Sequence, residues 1–537
     1  MTTTALASSN SGSLVFVVFV TFVTCALFVT VLVTTDRATP RDFYVGDGRL
    51  TPIWNGIAIF GVYLSVETLF GAPSRIALTG YDGIGYLMGP IVAIVVVLLL
   101  IAEPYHSTSR YTIGDSLGRR LRARSVHLAA GIATLGTCLV YLIAHMVGAG
   151  ALAAPILGLD GTGAQEIMVS SLGLLVIVYA ALGGMRATTA MQVVKGVLLL
   201  GGGGVTAVLV MSRVGWDPAI LLSQAADHSG LGDAFLEPGT SHTDTAVDKL
   251  DSLSVQLAVF IGAAGMPHVL MRLRAVSTAR AARRSVEIAA WLTLAFCLMA
   301  GLIGFGAATL LGRAAIITDN PTGNTAVLML AEFIGGAFLI TLISCIAFAT
   351  VLAVVSGLVL TASAALAHDI YQVGLMNGKA SEKSELLVAR VTLVLVGLTA
   401  IGLSTYAQAQ SISFLVGLAL AIAGSAILPA VLYNMYWRRF TTRGALWSVY
   451  GGLLSSVLLV VFSPVLSGSP TSLLPDLDFA VFPLTNPAVA SIPLGFLLGW
   501  LGSVLDSRKS DGMEYAETEA GVLADLADSA PEASPRP

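Results

Sequence analysis

The sequence predicts an all-α polytopic membrane protein of about 13 transmembrane helices, with a five-plus-five inverted-repeat core, one helix before it and two after. Three observations carry that expectation. Of 537 residues, 55% are hydrophobic and 11% charged, at a mean hydropathy of +0.84, a balance that excludes a soluble enzyme. Apolar runs of about 20 residues recur along the chain. Two of these runs are interrupted at matching places of two halves, by GVYLSVETLFGAP from Gly61 and by FIGAAGMPH at Phe260 to His268. Corresponding Gly/Pro-broken spans mark opposed repeats that share a polar centre.

The spans fall near 14–35, 51–80, 83–103, 126–155, 166–184, 190–212, 252–272, 286–312, 327–368, 389–407, 411–436, 444–463 and 488–505. Residues 1–50 then hold an external end, the first helix and an inner loop; 51–213 the first five-helix repeat; 214–251 an external loop expected to cap the spans. Residues 252–436 form the second repeat, inverted because each unit holds an odd number of helices; 437–506 add two helices, and 507–537 are an acidic tail of disordered composition. The run 14–35 lacks a positive leader and an A-x-A exit, so it reads as a membrane helix.

Orientation follows from Arg and Lys. With the N-terminus outside, the inner loops collect residues such as Arg41, Arg49, Arg119, Arg120, Arg122, Arg124, Arg186, Arg272, Arg274, Arg438 and Arg439, whereas the outer loops keep only Arg213, Lys249 and Arg313. That bias places the N-terminus outside and the C-terminus in the cytoplasm of a cell membrane. The cluster at 119–124 reads as a stop on translocation and a headgroup contact. Lys195, a turn and a half inside its span as drawn, reads as an anchor that snorkels to the interface. Cys25, Cys138, Cys297 and Cys345 have no ligand spacing and read as small buried hydrophobes.

The stretch 51–80 organises the rest. It carries Tyr63, Ser65, Glu67, Thr68 and Arg75 inside an otherwise apolar run, and such groups persist at membrane depth where they line an enclosed cavity. Eight residues apart on a helix, Glu67 and Arg75 share a face. Tyr141 and His145, one turn apart, give the fourth span a polar edge. Plainer readings stand beside these. Glu67 can be a buried neutral acid; Gly61, Gly71, Gly262 and Gly265 can be close-packing positions; Pro267 can only kink its helix and His268 only bond a carbonyl; Tyr141 and His145 can form an interhelical hydrogen bond. Thr134, Thr137, Ser356, Thr361 and Ser363 read as contacts between helices.

Distributed motifs add a resemblance: RDFYVGDGR before the second span, GYDGIGYLMG at Gly80 to Gly89, SRYTIGD at Ser109 to Asp115, YLIAHMVGAG at Tyr141 to Gly150 and YAALGGMRATTAMQVVKGVLLL at Tyr179 to Leu200. GAAGMPHVLMR at Gly262 to Arg272, AFATVLAVVSGLVLTASAALAHDIY at Ala347 to Tyr371 and WRRFTTRGA at Trp437 to Ala445 continue it. From about residue 40 to 505 the chain resembles the sodium:solute symporter family, in its branch of cation/acetate symporters and actinobacterial monocarboxylate permeases. The resemblance implies alternating access and cation-driven uptake of a small carboxylate such as acetate, propionate or pyruvate. It implies a cation held by the carbonyls of Gly61 and Leu64 with Thr350, Ala353 and Val354. The polar residues and breaks of this sequence place the expected substrate site at Tyr63, Ser65, Glu67, Thr68, Tyr141 and His145 with the backbone around Gly262, Gly265 and Met266.

Two departures refine it. Sugar and proline transporters of this type carry hydroxyls where Ala353 and Val354 stand, so the coupling ion is Na+ or H+, with Glu67 the proton carrier in the second case. Where acetate-branch members carry an acid and small residues at the first break, this chain has Val62, Glu67 and Thr68, with Arg75 added; Arg75 either attracts a carboxylate or pairs with Glu67 as a gate. The expected partners are a small organic anion and the bilayer, with no nucleic acid, cofactor or metal beyond Na+; oligomeric state is not legible. The rival readings are a carrier of the same fold for an amino acid, a transporter-like sensor and a channel.

Overall fold

In the computed structural model, the described residues are 39–156, 163–239, 245–320, 323–408, 410–468 and 472–506, with isolated positions near both ends. The expected first span at 14–35 and the tail 507–537 lie largely outside the described residues.

Helices begin where the sequence offers caps. Helix α1 (Pro40–Val45) starts at Thr39, whose hydroxyl accepts from the Asp42 N–H, and α2 (Pro52–Tyr63) starts at Thr51 with Pro52 at its first position. Leu64 then turns extended (φ −80°, ψ 125°), and α3 (Glu67–Thr79) leaves at 71° to α2. Helix α4 (Tyr81–Thr108) runs back, and the amphipathic α5 (Ile113–Leu121) opens on a capping box between Thr112 and Asp115. Helix α6 (Arg124–Ile156) is followed by α7 (Ala164–Arg213), whose 50 residues would extend about 75 Å at 1.5 Å each. That is more than twice the roughly 30 Å of bilayer hydrocarbon. Gly184 (φ 51°, ψ −144°), a conformation suited to glycine, divides α7 into the two spans that the sequence separates.

The second half repeats the plan. After α8 (Pro218–Ser229), α9 (Ala246–Leu257) passes through a wide turn at Ala258–Gly262 and a tight one at Ala263–Gly265 to an extended Met266 (φ −66°, ψ 119°), where α10 (Pro267–Arg272) begins. Helices α11 (Ala279–Leu311), α12 (Ala326–Leu375, divided at Gly336), α13 (Glu382–Tyr406) and α14 (Ile412–Tyr436) complete it. Helices α15 (Thr442–Val461) and α16 (Ala488–Val504) pack on one another and on the middle of α14. The buried core follows α12, which packs on α7, α6 and α2. Residues 217–236 pack on α11: Phe235 is buried beside Phe305, and the Thr309 hydroxyl bonds the Leu221 carbonyl.

Several expectations need correction. Arg120, assigned to headgroups, is buried and donates to the carbonyls of Asn434 (2.8 Å), Trp437 (3.1 Å), Arg438 (2.7 Å) and Phe440 (3.3 Å), closing the C-terminal end of α14. Arg272, counted with a loop, is buried and bonds the Thr189 hydroxyl at 2.7 Å. Cys25 is exposed, not buried. The hydroxyls of Thr137, Ser356 and Ser363 bond carbonyls of their own helix three or four residues back instead of joining helices.

Candidate functional site

Both breaks face one recess, and the chemistry gathers there. It is lined by Tyr63, Ser65, Glu67, Thr68 and Ala72 of the first break, Tyr86 and Pro90 of α4, and Tyr141 of α6. Val259, Ala263, Met266, His268 and Val269 come from the second break, Val416 and Leu420 from α14. Of the substrate residues expected from the sequence, the fold thus gathers Tyr63, Ser65, Glu67, Thr68, Tyr141 and Met266. His145, Gly262 and Gly265 do not line the recess. His145 bonds the Tyr141 carbonyl one turn back at 2.8 Å and sets its ring edge-on to Tyr141 at 4.4 Å. A Cβ on Gly262 would stand 2.1 Å from the Leu420 carbonyl oxygen, and one on Gly265 2.8 Å from that of Ala423, so these glycines let α14 close on the break.

The polar groups of the recess are held in distinct ways. The Tyr63 hydroxyl donates to the Pro90 carbonyl at 3.0 Å, and the Ser65 hydroxyl accepts from the Thr68 N–H at 3.4 Å, capping the start of α3. Glu67 accepts from the Ser413 hydroxyl at 2.9 Å and pairs with Arg75 at 3.6 Å, whose guanidinium lies 4.1 Å over the Tyr86 ring. Gly71 leaves space for this carboxylate: a Cβ there would come within 2.5 to 2.7 Å of its atoms. His268 stands beside the Tyr141 ring at 5.7 Å, and its buried Nδ1 has no hydrogen-bond partner among the described residues.

Behind the recess, α2, α7 and α12 meet at the expected cation position. Helix α2 ends at Tyr63, its last helical bond running from the Leu64 N–H to the Phe60 carbonyl, so the break leaves the Gly61 to Leu64 carbonyls without helical donors. Lys195 of α7 donates to the Leu64 carbonyl, and Gln192, one turn earlier, donates to the Ala353 carbonyl at 3.2 Å. Thr350 turns its hydroxyl to the Ile346 carbonyl at 2.7 Å, and Val354 presents an aliphatic side chain. A Cβ on Gly61 would lie 2.1 Å from the Gln192 carbonyl oxygen, so the glycine permits the close approach. Lys195 is therefore no interfacial anchor. The helix restarts at Gly184, so Lys195 sits 11 residues in, about 16 Å along the axis and near the bilayer middle. Drawing the span from residue 190 concealed that depth.

A second polar cluster, absent from the sequence reading, ties α5, α6, α12 and α13. His368 bonds Asp115 (2.9 Å) and Glu385 (2.8 Å), His127 pairs with Asp369 (3.3 Å), and Thr112 donates to Asp369 (2.6 Å). Burial works against the charge on Asp115, but His368 beside it and the Tyr111 N–H prevail and hold its carboxyl down at about 2. Burial raises the neighbouring Tyr111 phenol. Asp115, His127 and Asp369 bring one ligand atom each within 4.8 Å and could together hold a cation. Sequence spacing gives no sign of this group, because its members come from distant helices.

Comparison with known proteins places this architecture. A family model described as sodium:solute symporter family matches residues 43–452. A monocarboxylic acid transporter of Corynebacterium glutamicum is 42% identical over 515 residues, covering 94% of this chain and 93% of the relative. The uncharacterized symporter YwcA of Bacillus subtilis is 39% identical over 514 residues, covering 94% and 97%. A solved structure of a Na+-coupled sialic acid symporter, in a substrate-bound outward-open state, superposes with a TM-score of 0.70 at 17% identity, covering 92% of this chain and 98% of that one.

Proposed function

The chain belongs to the sodium:solute symporter family, and from that premise we propose that it is a secondary active symporter taking up a short-chain monocarboxylate, of the size of acetate, propionate or pyruvate, by alternating access. It is a membrane transporter and not an enzyme. The observation that carries the substrate reading is the recess between the two breaks, where His268, Ser65, Thr68 and Tyr141 stand among Ala72, Ala263, Met266 and Val269.

Such a wall suits a ligand with one polar end and a short apolar one. The first turn of α3 opens on the recess, and its N–H groups add partial positive charge for a carboxylate. Glu67, already engaged by Arg75 and Ser413, closes one end of the recess as a gate, which disfavours its use for the ammonium group of an amino acid. Uptake draws on a cation gradient, Na+ or H+, with the N-terminus outside and the C-terminus in the cytoplasm.

Counterflow in proteoliposomes tests the reading. Labelled acetate, propionate or pyruvate should exchange against the same unlabelled acids, and labelled alanine or proline should not. Exchange of the amino acids alone would reverse the assignment.

A further inference from the structure

Membership in the family carries an expectation of Na+ coupling, and the residues at the cation position do not fit it. A hard cation needs several oxygen ligands in place of its water. Here the Leu64 carbonyl already accepts from Lys195, and the Ala353 carbonyl accepts from Gln192 at 3.2 Å and from the Ser356 hydroxyl at 3.2 Å. The Thr350 hydroxyl is spent on its own helix, and positions 353 and 354 offer no side-chain oxygen.

We propose, resting on the symporter reading above, that Lys195 is a built-in replacement for the coupling sodium ion: its tethered ammonium holds the break of α2 against α7, and transport by this protein does not depend on Na+. Two features support it beyond the bonded carbonyls. Lys195 is fully buried, and among the described residues it makes no ion pair, so its amino group is directed at a backbone carbonyl as a bound cation would be. Gln192 and Lys195 lie three residues apart on one face of α7 and reach α12 and α2 respectively, which spans both sides of the position from a single helix. Groups that interact with it include the imidazoles of His145 on α6 and His268 on α10, and Arg272 interacts with His268.

Two measurements on the full-length protein test this. The first is thermal unfolding in detergent during a Na+ titration at constant ionic strength against choline, a readout that needs no substrate. Wild type should show no Na+-specific shift, and a saturable Na+-specific rise in Tm would overturn the proposal. The second is pyruvate accumulation in proteoliposomes with Na+ and pH gradients imposed separately; pyruvate is chosen because, as the strongest acid of the panel, it leaks least as the neutral form. Accumulation in Na+-free media under a pH gradient, reaching about tenfold per unit at one proton per substrate, is expected. An absolute requirement for Na+ would overturn the proposal. Lys195→Arg, which keeps a tethered cation, should unfold as Na+-independently as wild type, whereas Lys195→Met should lose tenfold or more of the accumulation. Lys195→Met accumulating like wild type would also overturn it. Failure of every carboxylate to exchange, with Tm still blind to Na+, would sink the substrate reading and leave this inference standing.

Discussion

Gly71 and Glu67 are coupled through space, and the coupling has a size. In Gly71→Ala the new methyl carbon would stand 2.5 to 2.7 Å from the Glu67 carboxylate atoms, well inside ordinary contact, so the carboxylate must move by about 1 Å. That breaks the Ser413 hydrogen bond, worth about 1.5 to 3 kcal/mol for a charged acceptor. It also weakens the Arg75 pair, which at 3.6 Å and with partly exposed partners is worth at most about 1 kcal/mol. Against this, alanine is favoured over glycine within a helix by about 1 kcal/mol. The net expectation is a destabilisation of about 0.5 to 3 kcal/mol in the wild-type background. In Glu67→Ala there is no carboxylate to displace, and Gly71→Ala should stabilise by about 1 kcal/mol. Thermal unfolding of the four proteins in one detergent measures the cycle, with pyruvate counterflow followed in parallel because Glu67 lines the recess. An equal effect of Gly71→Ala in both backgrounds would refute the reasoning.

Other predictions are briefer. Arg120→Met strips four carbonyls at the end of α14 of their donor and should cost about 3 kcal/mol or more, read as lower Tm and monodisperse yield with an unchanged KM in surviving protein. Gly61→Ala should cost about 1 to 3 kcal/mol by pushing α2 off α7, and should lower uptake more than expression. Asp115→Asn should cost about 2 kcal/mol at neutral pH, from the fall of the carboxyl from 3.8 to about 2 on folding. Because the folded value is the lower one, that stability is fully present above the unfolded carboxylate range and is lost as pH falls through about 2. The gap in unfolding between wild type and variant should therefore hold from pH 7 to about 5 and narrow below about 4.

Local pattern carried much of this fold into the sequence. Apolar runs marked the spans, and Gly61 with Gly71 and Gly262 with Pro267 marked both breaks, since loosened helices leave glycine and proline behind. Helical spacing placed Glu67 with Arg75, found at 3.6 Å, and Tyr141 with His145, found ring to ring at 4.4 Å. What stayed hidden depends on partners far along the chain. Ser413 lies 346 residues from the carboxylate it bonds, and the carbonyls that take Arg120 lie more than 300 residues on. A lone cation in an apolar helix reads the same whether it snorkels or is buried. Only the restart of α7 at Gly184 and the opposing Leu64 carbonyl separate the two for Lys195.

The central claim is that a small carboxylate binds in the recess between the two broken helices. A cryo-electron microscopy structure with saturating pyruvate tests it most directly. The carboxylate should lie within hydrogen-bonding distance of His268 and of Ser65 or Thr68, with its methyl toward Ala263 and Met266. Pyruvate bound elsewhere, with that recess empty or filled by side chains, would contradict the account.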